Sequence, residues 1–239
     1  MPSSHRFSPF PPPTSPLHTV KMSDIEKGNV HDHGAGSRLT GAPRPSTVAN
    51  PATLGLFSFA STTFILSFYN VTVDGITHPN VVVGMALFCG GLAQLLAGMW
   101  EFPRGNVFGA TAFTSYGAFW LSFGTIFIPG TGILSAYEDS QELEHALGIY
   151  LFSWFIVTFL LLIASLRKSV AFIALFGFLS ITFLLLGAGK FTTKTEVTKA
   201  GGAFGIITAF IAYYIGLSDL LAAEKAAVAG LPLGAFKYD

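Results

Sequence analysis

The sequence predicts an all-α membrane protein with six transmembrane helices, and three observations carry that prediction. Hydrophobic residues make up 51% of the chain and charged residues only 11%, against about 25% charged in a soluble domain. The charge is unevenly placed: residues 51–73, 75–100, 105–137, 146–166, 169–189 and 200–218 carry none. Uncharged apolar stretches of about 20 residues read as membrane spans, here 51–69, 80–100, 106–128, 145–166, 169–189 and 200–221. The breaks between them are too short for a second soluble domain. The chain therefore divides into a tail at 1–49, one membrane domain at 50–221 and a short tail at 222–239. Net charge is zero, so nothing suggests a nucleic-acid partner.

The first tail is rich in Pro, Gly, Ser and His. Such a composition cannot bury a core, and the segment is expected to be disordered. No apolar run precedes a small-residue cleavage site, so a signal peptide is not expected. His31 and His33 are spaced for a metal, but a histidine pair in a flexible tail assigns none. Met22 opens a plausible alternative start, and the tail's Ser and Thr residues are open to phosphorylation.

The first span opens with NPATLGLFSFA, residues 50–60. Asn50 suits a helix N-cap, and Pro51 suits the first helical position. Thr53, Gly55, Ser58 and Thr62 make the span more polar than a lipid-facing helix. The second span reads GMALFCGGLAQLLAGMWE over 84–101, where Gly90, Gly91, Ala93, Ala97 and Gly98 allow close helix approach. Its mid-span amide, Gln94, needs an interhelical partner or a water-filled path. Glu101 closes the span beside Arg104, either paired or carrying protons. Cys89 is the only cysteine, so no intrachain disulfide forms.

The third span follows Gly105, with Asn106 as its cap. Thr111, Thr114, Ser115 and Tyr116 then place hydroxyls beside Phe113, Phe119 and Trp120. Thr111 and Ser115 share a helix face, and these hydroxyls either line a path or bond back to their own helix. The fourth and fifth spans are bulky and apolar. His145 at the start of the fourth reads as a solvated loop histidine. Gly201, Gly205 and Ala209 give the sixth a small-residue packing face. By the positive-inside rule the connections place both termini in the cytoplasm. Lys190, Lys194 and Lys199 break that pattern. The second tail is expected to carry no information.

Three strings, NPATLGLFSFA, GGLAQLLAGMWEFPRGN and FGATAFTSYGAFW, resemble the acetate uptake transporter family, acetate/succinate permeases of bacteria and fungi. The resemblance covers residues 50–221, with Thr53 where the N-P-A-P-L-G-L signature has its second proline; the long tail suits a fungal member. It implies a multi-pass plasma-membrane protein, with a pore in each six-helix protomer and six protomers in a ring. It also implies transport of acetate, and of propionate or succinate, linked to protons or by a channel. By motif position, the family's hydrophobic constriction falls on Phe59, Tyr116 and Leu179.

The residues add a physical reading. A carboxylate pays a large desolvation cost in a bilayer. Helix starts at Asn50 and Asn106 attract anions. Asn50, Thr53, Gln94, Glu101, Asn106, Thr111, Thr114 and Ser115 are the expected substrate pathway. No span carries a mid-membrane charge, which favours weak anion sites or passage as neutral acid with a proton. A channel for ammonia or a similar neutral solute, and a membrane sensor, are the alternatives. No nucleophile–base set, metal cluster or cofactor motif is present, so neither an enzyme nor a cofactor is expected.

Overall fold

The computed structural model describes residues 48–237. The tail features, His31, His33, Met22 and the phosphorylatable residues, lie outside the described residues. Among those described, six long helices follow one another: α1 Ala52–Asn70, α2 Val81–Glu101, α3 Val107–Ile126, α4 Ser140–Ser165, α5 Val170–Thr192 and α6 Thr195–Ala223. Five are long and apolar enough to cross a membrane. The other, α3, has 20 residues but carries Thr111, Thr114, Ser115, Tyr116 and three glycines, which dilute its hydropathy. The chain alternates direction. One end of the bundle holds Asn50 and the 102–106 and 166–169 turns, and is called the Arg104 end. The opposite end, the Lys190 end, holds the 71–80 and 127–139 connections and the 193–194 turn.

The helix starts follow their capping residues. Asn50 Oδ1 accepts from the Ala52 N–H at 3.1 Å, with Pro51 already in helical geometry. Asn106 Oδ1 accepts from the Gly109 N–H at 3.1 Å, after Gly105 turns the chain at φ +76°. Asp139 caps α4 through the Gln141 N–H, so the helix begins five residues before the expected 145. His145 is therefore helical rather than in a loop, and its ring stacks on Phe191 at 5.1 Å. Ser169 caps α5.

The middle of α2 departs from α-helical form. Met85–Ala93 is a π-helix, with Gln94 following it directly. Such wide-turn segments are rare and concentrate at functional sites. The segment packs on α1, where Thr62 Oγ1 lies 3.4 Å from the Met85 carbonyl and Cys89 Sγ 3.8 Å from the Ser58 carbonyl. Small residues set the helix spacing. Gly98 lies against the backbone of Thr114 on α3, and Gly216 against Phe57 on α1. Gly205 meets Ser67 of α1, while Gly201 meets Leu186 of α5.

Two lysines that break the charge alternation have acidic partners. Lys190 Nζ sits 2.9 Å from Glu144 Oε2, and Lys199 3.6 Å from Glu196. The second tail, expected to be uninformative, instead folds back as a strap. Val170 and Ala171 donate their N–H groups to the Gly234 and Leu233 carbonyls at 3.0 and 3.1 Å. Ser218 and Tyr214 donate to the Leu231 and Pro232 carbonyls, each at 2.8 Å. The physical reason is that the first N–H groups of α5 have no partner within the helix, and the tail supplies carbonyls.

A β-carbon at Gly98 would overlap the backbone nitrogen and Oγ1 of Thr114, whereas one at Gly177 meets nothing within 4 Å. Gly98→Ala is expected to destabilise the folded protein by about 1–3 kcal/mol, the usual result of overpacking. Gly177→Ala is expected to be neutral. Thermal unfolding in detergent checks both, and equal midpoints for the two variants would refute the close-packed α2–α3 seam.

Candidate functional site

A chamber of about 180 Å³ opens inside the bundle toward the Lys190 end. Thr63, Ser67 and Asn70 reach it from one stripe of α1, and Thr182 and Lys190 from α5. Among the described residues, Lys190 is its only charged lining residue. Aromatic side chains form the opposite wall, including Phe119, Trp120 and Phe123. Beyond it lies a wider polar mouth of about 370 Å³, which shares Asn70, Pro79 and Thr198 with the chamber and adds Glu144.

Phe59 and Leu179 form the partition between this chamber and a second one, since both residues line both spaces. The second chamber, nearer the Arg104 end, measures only about 30 Å³. That is room for about two water molecules. Tyr116 lines it, with its ring 5.6 Å from that of Phe59. The Tyr116 hydroxyl donates to Thr158 Oγ1 at 2.9 Å, and Thr158 donates onward to the Trp154 carbonyl at 2.7 Å. Phe59, Tyr116 and Leu179 are all at most 5% exposed. Gln94 is the one amide in the small chamber, 1% exposed, and its Oε1 has no hydrogen-bond partner among the described residues. Phe108 and Phe172 also line this chamber, their rings edge-to-face, with Lys168 Nζ 4.4 Å from the Phe108 ring centre.

The structure thus brings Phe59, Gln94, Tyr116 and Leu179 together. The other expected pathway residues line neither chamber. On α3 and at Phe127 just after it, the chamber-lining residues are Phe108, Ala112, Phe113, Tyr116, Phe119, Trp120, Phe123 and Phe127, one stripe at helical spacing. Thr111 lies on the far side and is exposed. Thr114 faces Gly98, and Ser115 flanks the stripe, half-buried. Of the four expected hydroxyl residues of this helix, Tyr116 alone lines a chamber among the described residues. Thr53 is half-buried on α1. Asn50 and Asn106 are occupied as caps, and Asn50 also accepts from Arg104. Glu101 is fully buried and paired with Arg104 at 3.2 Å. Asp219 of α6 lies within the field of both charges.

Sequence reasoning missed Thr63, Ser67 and Asn70, although they follow Phe59 at helical spacing. It also missed Thr158, which carries no local signal: its role depends on α4 packing beside α3.

Comparison with known proteins agrees with this architecture. The chain is 54% identical over 175 residues to the Saccharomyces cerevisiae Ammonia transport outward protein 2, covering 72% of this chain and 62% of that one. It is 46% identical over 183 residues to Acetate permease A of Emericella nidulans, covering 72% and 61%. It thus spans about six tenths of the length of these two fungal relatives. The Escherichia coli Succinate-acetate/proton symporter SatP is 35% identical over 191 residues, covering 78% of this chain and 96% of that one. The solved structure of the bacterial acetate channel SatP superposes with a TM-score of 0.67 at 32% identity, over 77% of this chain and 99% of that one. Residues 36–233 match the GPR1/FUN34/yaaH family, and the chain belongs to that family.

Proposed function

We propose that this protein carries acetate and related short carboxylates across a membrane, through a path inside each protomer. The observation that carries the reading is the pair of chambers separated by Phe59 and Leu179. A path that narrows between two chambers within one helical bundle suits a solute small enough to pass between a few side chains. The names of the relatives, an acetate permease and a succinate-acetate/proton symporter, support the substrate class.

The geometry also bears on the charge state of the cargo. Past the partition, a carboxylate meets one amide, Gln94, in a space for about two waters. Losing its hydration there is costly for an anion and far less so for the neutral acid. Passage with a proton is therefore the reading that fits the small chamber. Phe59, Tyr116 and Leu179 act as the constriction, with Tyr116 fixed by Thr158. In the same reading the Arg104 end is cytoplasmic, in the plasma membrane, and the exposed apolar residues of α2, such as Phe88, Leu92 and Leu96, meet lipid or neighbouring protomers of a hexameric ring. The apolar Phe59–Leu179 partition also suits ammonia, the solute named for one relative, which makes ammonia the second reading.

Labelled-acetate uptake by purified protein in liposomes tests the first reading. Uptake should exceed that of empty liposomes, rise with an inward proton gradient, and fall with excess propionate or succinate. Ammonia flux without acetate uptake would select the second reading.

Phe59→Ala and Leu179→Ala are expected to raise propionate and succinate flux relative to acetate by roughly 10-fold or more, about the discrimination that one or two methylenes supply. Unchanged selectivity in both variants, each folded by size-exclusion chromatography, would remove the proposed constriction.

A further inference from the structure

We propose that Lys190 is the carboxylate-recognising group of the larger chamber, and that Glu144 is the built-in carboxylate it releases when a substrate arrives. This rests on the carboxylate reading above and names the group that would select the charged form before it enters the partition.

The ion pair stands where the wide mouth meets the chamber. Glu144 lines the mouth and Lys190 the chamber, and Asn70, Pro79 and Thr198 line both. Lys190 Nζ lies 2.9 Å from one Glu144 oxygen and 3.1 Å from the other. The two side chains are 32% and 35% exposed. A pair this open to solvent holds weakly, so an incoming carboxylate competes with Glu144 on similar terms.

Deeper in the same chamber, Trp120 Nε1 and Thr63 Oγ1 are buried without a hydrogen-bond partner among the described residues. The indole N–H only donates, and the hydroxyl also can. The Lys190 ammonium complements carboxylate oxygens, not an ammonium ion or a second cation, and the residues Thr63 and Trp120 line the same space. Phe119, Phe123, Leu151 and Phe183 add apolar wall, which suits the short alkyl end of the same molecule. At the same end Lys199 pairs with Glu196, and His145 stacks on Phe191.

The test is the concentration dependence of labelled-acetate uptake in liposomes, for wild type and folded variants. Lys190→Gln should raise the half-saturating acetate concentration about tenfold, as expected for losing one charge-assisted hydrogen bond, with the maximal rate changing far less. Lys190→Arg should recover most of that loss. Glu144→Gln should keep or lower the half-saturating concentration, because the lysine stays cationic and loses its competitor. Wild-type half-saturation in Lys190→Gln would overturn the proposal. So would equal losses in Lys190→Gln and Glu144→Gln, the signature of a purely structural ion pair. Absence of acetate uptake by wild type would instead sink the carboxylate reading on which the proposal rests.

Discussion

Inside a bilayer a polar side chain has no water to turn to, and that constraint organises this bundle. Most buried hydroxyls meet it locally. Thr62, Thr158, Ser180, Thr182 and Thr208 each donate to the carbonyl four residues earlier on their own helix. These bonds satisfy the hydroxyl within its own helix, and Thr158 and Thr62 also reach Tyr116 and the Met85 carbonyl on neighbouring helices. Five buried polar atoms have no hydrogen-bond partner among the described residues: Thr63 Oγ1, Gln94 Oε1 and Trp120 Nε1 belong to residues that line the chambers, while Arg104 Nε and Thr114 Oγ1 do not.

With polar groups handled locally, association of the helices falls to close packing, because lipid offers no hydrophobic drive for helix pairing. Gly98 and Gly216 let α2 and α6 approach their neighbours closely. The π-helical stretch at 85–93 widens α2 just before Gln94. Longer side chains then fill the centre, and the interlocked rings of Phe59, Tyr116, Phe119 and Trp154 leave only small spaces. The partition is a by-product of that packing as much as a device: two chambers remain because Phe59 and Leu179 meet between them.

Charge is confined to the bundle's two ends and is used differently at each. At the Arg104 end, Glu101 is fully buried, and Arg104 ties it to Asn50 at the head of α1. The arrangement holds α1 to the α2–α3 turn, and the strap at 231–236 similarly fastens α5 and α6. At the Lys190 end, the Lys190–Glu144 pair is a third exposed and borders open space. A buried pair that joins three segments favours rigidity, whereas an exposed one at a mouth is free to exchange partners.

The sequence by itself determined the six helices, their caps at Asn50 and Asn106, and the small-residue faces of α2 and α6, because these follow from local capping chemistry, charge-free length and helical spacing. Phe59, Tyr116, Leu179 and Gln94 were also legible, three through motif resemblance and one as a lone mid-span amide. Which face of α3 looks inward was not. Its hydroxyls and its rings both recur at helical spacing, and only the neighbouring helices decide between the stripes. The same holds for Thr158, the Lys190–Glu144 pair and the strap. Each joins residues far apart in the chain, so no local pattern announces them and tertiary packing alone brings them together.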